Sequence, residues 1–259
     1  QDPELGKKVG YIVRLDLHPL AADHNMKTLI NEAQILRQLS ANDRVVVLGR
    51  SPFAYVEAAK CLDALEGRLH DSEQYVNVSF SGKWWHAVGK GKYYEEFRSK
   101  PTYIQIEAYH QYLAKLKLDP MAIIVNPHKI RIVEYVKYGG GLKSFLSILL
   151  DQRWVDQEKV NYKDLKDKII VHILQNPFHQ EIPAFDDFTN IVHQRVDGEL
   201  VQSLSLRDND SIGEYFPPHR WAEIDPTESK PPTNAKYVQL RIIDYIASNV
   251  STKKQRPQG

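Results

Sequence analysis

Apolar positions along the chain recur in two spacings. "VGYIVRLDL" (9–17) alternates as a first strand does, and "NMKTLINEAQILRQL" (25–39) places Leu29, Ile30, Ala33, Ile35, Leu36 and Leu39 on one helical stripe. Val45 to Gly49 follow without polar alternation, the signature of a strand covered on both faces of a parallel sheet. "GRSP" breaks that run, and Phe53, Val56, Ala58, Ala59, Leu62 and Leu65 then describe a helix over 53–65. The stretch 72–105 mixes strand-like pieces with Gly82, Gly89 and Gly91. Ile106, Tyr109, Leu113, Leu116 and Leu118 predict a helix over 106–118, and "MAIIVN" (121–126) reads as a short strand.

The most informative stretch is "IRIVEYVKYGGGLKSFL" (130–146). Ile130, Ile132, Val133 and Val136 supply strand character, and Gly139, Gly140 and Gly141 interrupt it. Leu142, Phe145, Leu146, Leu149 and Leu150 then repeat at helical spacing. A further strand spans Ile169 to Leu174, ahead of Pro177. From Phe178 the periodicity weakens into turn-rich sequence until "AKYVQLRIIDYIASNV" (235–250), which reads as a closing helix. No internal repeat is visible.

Two strand, glycine-loop, helix units in one chain predict an α/β fold with a mostly parallel central sheet flanked by helices, Rossmann-like in plan. The expected division is a core over 6–177, a C-terminal region over 178–250 packed on it, and a disordered tail over 251–259. "QDPEL" (1–5) reads as a cloning remnant.

Composition narrows the function classes. With 259 residues and 42% hydrophobic content the chain is long enough to bury a substantial core. Lys+Arg 34 against Asp+Glu 33 leaves a formal charge of +1, so nothing global points to nucleic acid or to an acidic membrane surface, and any anion site must be local. A single cysteine, Cys61, excludes an intrachain disulfide and a thiolate-rich zinc site; its helical surroundings read as core. No apolar run is long enough to span a bilayer and no signal peptide is visible, which fits a cytoplasmic protein. The histidines lack metalloprotease spacing, "SGKWW" lacks Walker spacing, and no G-x-S-x-G elbow occurs.

At a strand–loop–helix junction, unpaired N–H groups and the positive end of the helix dipole face the loop, where a phosphate is well placed. A tight turn that binds nothing would read the same way. The order of motifs resembles the type I phosphoribosyltransferases. In that family a strand ending in a short Gly- and Lys/Arg-containing loop contacts pyrophosphate, and "VVVLGRSPFAYVEAA" is similar to it. The family's diagnostic stretch runs from four apolar residues through two acids into a loop around a 5′-phosphate, and "IRIVEYVKYGGGL" has that length and layout. Tyr135 stands where the second acid would be, Arg131 interrupts the apolar strand, and Tyr138 and Gly141 replace loop threonines.

The resemblance implies binding of phosphoribosyl pyrophosphate or a nucleotide, transfer of phosphoribose to or from a base-like acceptor, and Mg²⁺ as cofactor. It implies Glu134 and Arg50 as catalytic groups, with Glu134 on the ribose hydroxyls. It places the 5′-phosphate on Tyr138, Gly139, Gly140, Gly141, Leu142, Lys143 and Ser144, and pyrophosphate on Gly49, Arg50 and Ser51. It makes 178–250 a small hood, and a homodimer is compatible with it. The segment 82–100, with Lys83, Lys90, Lys92, Trp84, Trp85, Tyr93 and Tyr94, reads equally as a lid or a solvated hairpin. Phe178, Phe185 and Phe188 fall where the family's hood stacks an acceptor base, although ordinary packing explains them as well. Two other readings stand beside the transferase. One is a non-catalytic module of the same fold that binds a nucleotide, a phosphosugar or a protein; the other is an unrelated α/β nucleotide-binding enzyme.

Overall fold

The computed structural model describes residues 19–40, 42–49, 51–68, 74–80, 84–87, 93–96, 100–136, 139–176, 188, 190–206, 218, 221 and 235–251. The expected strand over 9–17, the first five residues, the tail over 252–259, Arg50, Tyr138, Phe178 and Phe185 lie outside them.

A short 3-10 turn, Pro19–Ala21, leads into α1 (Asp23–Leu39). Strand β1 (Arg44–Leu48) is buried along its whole length, as the absence of polar alternation requires. It is followed by α2 (Phe53–Leu65) and β2 (Tyr75–Val78). Two short strands, β3 (Trp85–Ala87) and β4 (Tyr93–Glu95), form a separate antiparallel pair. Next come α3 (Tyr103–Lys115), α4 (Pro120–Val125) and β5 (Ile130–Tyr135). Helices α5 (Gly140–Leu149), α6 (Gln152–Gln157) and α7 (Tyr162–Lys168) precede β6 (Ile169–Gln175). The chain continues through β7 (Ile191–Arg195), α8 (Gly198–Leu206) and α9 (Ala235–Ser251).

Five strands make one sheet in the order β2-β1-β5-β6-β7, and every neighbouring pair is parallel. The α/β sheet flanked by helices is therefore present, with the three strands read most clearly from sequence lying side by side at its centre. Alternate residues point to opposite faces. Val45, Val47, Val133 and Leu174 pack under α1, α2, α8 and α9. Val46, Ile130, Ile132, Val171 and Ile173 pack under α3 and α5, with Ile123, Val155 and Leu165 from the short helices. The described parts of 178–250, expected to form a hood, supply the edge strand β7 and helices α8 and α9 of the first layer. Phe188 packs against the second core, as ordinary packing of that region requires.

"MAIIVN" is a helix, not the strand its apolar run suggested. Pro120 occupies the first turn and the Asp119 side chain accepts from the Ala122 N–H at 2.8 Å, so an N-cap and a helix-compatible φ override the local pattern.

Candidate functional site

The chain leaves β1 outward to β2, then recrosses to β5 before continuing outward to β6 and β7. The reversal falls between β1 and β5, and in open parallel sheets the crevice beyond the carboxyl ends at that point is where ligands bind. Val47 lies beside Val133 in register, so the two strands end at one level. The strands that lead into the two stretches singled out in the sequence, Gly49 after β1 and the glycine run from Gly139 after β5, thus end side by side.

Each loop uses glycine for a definite reason. Gly49 has φ +70° and its N–H donates to the Val78 carbonyl at 2.9 Å; an added Cβ would fit beside the Phe80 carbonyl, so it is the conformation that selects glycine. Gly139 has φ 77° at the N-cap of α5, and no side chain caps that helix. Its carbonyl accepts from the Lys143 N–H at 2.9 Å, which closes the first turn. The leading N–H groups of α5, on Gly140, Gly141 and Leu142, are those an α-helix leaves without intrahelical partners.

Glu134 stands at the end of β5, one residue position beyond Val133 and on the face of Ile130 and Ile132. Among the described residues its carboxyl has no hydrogen-bond or ion-pair partner. It keeps part of its surface open, yet protein atoms crowd the carboxyl, and this burial alone pushes its pKa well above the carboxylate range. A desolvated, uncompensated acid at a strand's carboxyl end is the pattern expected of a ligand-facing group.

Other expected site residues have different occupations. Ser144 is fully buried. Its hydroxyl donates to the Gly140 carbonyl at 2.8 Å and accepts from the N–H groups of Trp84 at 3.1 Å and Trp85 at 3.3 Å. That oxygen ties the β3–β4 pair to α5. The Lys143 ammonium lies 4.8 Å from the centre of the Trp85 ring, a cation–π contact that draws it toward the same pair. Leu142 is buried in the core beneath α5 and offers the ligand its backbone only.

Tyr135 turns to the opposite face from Glu134 and packs against the core under α1 and α2. The position that would carry a second acid is therefore half-buried on the face opposite Glu134. Cys61 is half-buried against the same core, and burial pushes its thiol up to about 11, which leaves it protonated and unreactive. Among the described residues no group of three or more His, Cys, Asp or Glu side chains is gathered to hold a metal. No helix among them is long and apolar enough to cross a membrane.

The sequence reading missed a buried polar chain on the α1 and α2 face. The Arg131 guanidinium donates to Asp43 at 2.7 Å and also to His172 Nδ1 at 3.3 Å. Because guanidinium only donates, Nδ1 is the accepting nitrogen, and Nε2–H donates to Gln194 Oε1 at 3.1 Å. The Gln194 amide donates in turn to the Glu32 carbonyl at 2.8 Å. Burial, reinforced by the Arg131 charge, lowers the His172 pKa to about 3. Arg131 breaking an apolar strand was the one signal of this chain in the sequence.

No family model, curated protein or solved structure matches this chain.

Proposed function

We propose that this chain is a phosphoribosyltransferase-like protein that binds a ribose-5-phosphate donor, phosphoribosyl pyrophosphate, or a nucleotide beyond the ends of β1 and β5. The observation that carries the proposal is that β1 and β5, each followed by a glycine, lie side by side at the strand-order reversal, with Glu134, which has no hydrogen-bond or ion-pair partner among the described residues, near the end of β5. In this reading the N–H groups of Gly139 to Leu142 cradle the 5′-phosphate and Glu134 meets the ribose hydroxyls. Gly49, Arg50 and Ser51 hold the pyrophosphate, Arg50 lying outside the described residues.

The chemistry asks little of nucleophiles. Transfer through an oxocarbenium-like ribose requires that the leaving group be held, the acceptor oriented and water excluded. A carboxyl whose environment favours the protonated form can donate one hydrogen bond and accept others, so a single acid can engage two neighbouring hydroxyls. Mg²⁺ keeps several waters and takes one or two carboxylates alongside substrate phosphates; Glu134 is the side chain here that would face it, ionised only against the metal's own charge, and the metal would supply charge neutralisation on the leaving pyrophosphate.

Calorimetric titration with phosphoribosyl pyrophosphate plus Mg²⁺, set beside a nucleoside monophosphate panel, tests the proposal. Saturable binding of the donor supports it, and absence of binding of both classes at millimolar concentration overturns it. The burial of Tyr135 favours a second reading, a binding module without transfer activity. Nucleotide binding with no pyrophosphate release for any base offered would select that one.

A further inference from the structure

Strand β7 pairs with β6 on one side only. The Asn190 carbonyl accepts from the Val171 N–H at 2.9 Å, and the Val196 N–H donates to the Gln175 carbonyl at 3.0 Å, so these two residues turn their backbone groups toward β6. The two-residue period of a strand then turns the backbone groups of Ile191, His193 and Arg195 outward, where they meet no backbone partner among the described residues. Such an edge is a template for one more extended segment.

The hand of the crossovers selects the segment. β1 reaches β2 through α2, on the sheet face that α1 shares, and β5 reaches β6 in the opposite direction through α5 on the other face. The two connections therefore have one hand, as parallel crossovers do. Residues 9–17, which lie outside the described residues, alternate in sequence as a strand does and lead through Pro19–Ala21 into α1, which leads into β1. With α1 on the face of α2, a crossover of the same hand starts on the side of β1 away from β2. β5, β6 and β7 fill that side, so the outer edge of β7 is the first open position. Helix α1 passes where this connection requires: the Glu32 carbonyl accepts from the Gln194 side chain of β7 at 2.8 Å, and the Glu32 carboxylate accepts from the Asp197 N–H at 2.7 Å. The polar pattern agrees. Gln194 is buried under α1 while His193 and Arg195 are exposed on the other face, so a neighbouring strand there needs one apolar and one polar row. Val9, Tyr11, Val13, Leu15 and Leu17 supply the first, and Gly10, Arg14 and Asp16, interrupted by Ile12, the second. Ile35 and Leu39, 45% and 43% exposed, give the apolar row a flank of α1 to pack on, away from the Arg37 side that meets α2.

We propose that the outer edge of β7 is a docking surface for this chain's own residues 9–17, which it takes up as a sixth parallel strand. The surface lies apart from the candidate ligand site between β1 and β5, and its test does not depend on what that site binds.

Amide hydrogen exchange in the full chain, followed residue by residue by NMR, is the experiment. The outward N–H groups of Ile191, His193 and Arg195 are expected to exchange about a hundredfold slower than in an unstructured chain, and unprotected exchange there overturns the proposal. Ile12→Pro and Val13→Pro, made separately, identify what covers the edge. Successive N–H groups of a strand point to opposite sides, so one of the two prolines removes a donor from the pairing with β7 and the other does not. The first should accelerate exchange at 191, 193 and 195 about tenfold, and the second should resemble the unmodified chain. Val192 and Gln194, whose N–H groups face β6, should keep their protection in both variants. Unchanged exchange at 191, 193 and 195 in both variants assigns the edge to another segment and overturns the proposal. Protection that falls on dilution assigns it to a second copy of the chain and also overturns it. Should a proline variant lose protection at Val192 and Gln194 as well, a nitroxide attached at Asp16→Cys is the second probe. It should broaden the amide signals of 191–195, and signals that stay sharp overturn the proposal.

Discussion

At the scale of single residues, Glu134 and Tyr135 were adjacent letters whose opposite orientations decide what each does. Glu134→Gln removes a charge that the folded chain disfavours, yet keeps the shape of the side chain. It should raise stability at neutral pH by about 1 kcal/mol or more, read from the urea midpoint. Replacing the carboxyl that engages the ribose hydroxyls should weaken ribose-phosphate ligands about tenfold and orthophosphate hardly at all. A variant that becomes less stable, or that binds both ligands equally well, would remove Glu134 from the site. Tyr135→Asp would restore a second acid in sequence only, since the side chain packs against the core under α1 and α2. Destabilisation by several kcal/mol without gain of Mg²⁺-dependent donor binding is expected. Gained binding would show that the strand end can turn Tyr135 outward. Gly139→Ala forces an L side chain into a left-handed conformation, and a loss of about 1 kcal/mol in thermal or urea melts is expected. The glycines were legible in sequence because their backbone demands are local. The fate of Ser144 was not, because its hydroxyl answers N–H groups 59 and 60 residues away.

At the scale of elements, what could be read was decided by which residues are buried. Strands β1, β5 and β6 announce themselves through mostly apolar runs, whereas the one buried residue of β7 is Gln194, satisfied by His172 and by the Glu32 carbonyl. No hydrophobicity pattern reveals a strand whose inward residue is an amide. The packing of α1 on α2 was equally hidden, because an ion pair joins their ends. Arg37 and Asp63 are buried against each other, Arg37 also reaches Glu66 at 3.0 Å, and the Tyr75 hydroxyl donates to Asp63 at 3.2 Å. Arg37→Met leaves the Asp63 carboxylate desolvated and lacking its main cation. A loss of about 3 kcal/mol is expected, toward the low end for buried pairs because Glu66 is half-exposed and can regain water. Arg37→Met combined with Asp63→Leu should recover most of that loss in equilibrium urea unfolding. If the single and double variants are equally unstable, the pair contributes through shape and not through charge.

At the scale of the whole molecule, the buried ionisable groups act in opposite directions with pH, so the fold should be most stable in a limited range. Unfolded, His172 takes up a proton near its ordinary value of 6.5; folded, it refuses one down to about 3, because burial and the Arg131 charge oppose the imidazolium. Its contribution is fully present above pH 6.5 and is lost as pH falls from there toward 3. While only the unfolded chain binds that proton, the slope is about 1.4 kcal/mol per pH unit. Glu134 and Glu32 have raised values in the folded chain, so folding retains protons that the unfolded chain releases. Their contribution is present below the ordinary carboxyl value of 4.5 and is lost as pH rises through the raised values. The two effects can be separated by substitution. His172→Gln should lower stability at pH 7, since Arg131 and Gln194 lose a shaped partner, but should flatten the acid limb between pH 6.5 and 4. Glu134→Gln should leave that limb intact and flatten the decline on its alkaline side. Urea midpoints measured for both variants across pH 4 to 9 give the comparison, with the unmodified chain as reference. An acid limb that survives His172→Gln would mean that other groups carry it and that the relay from Asp43 to Glu32 is held by hydrogen bonds whose strength does not depend on the imidazole remaining neutral.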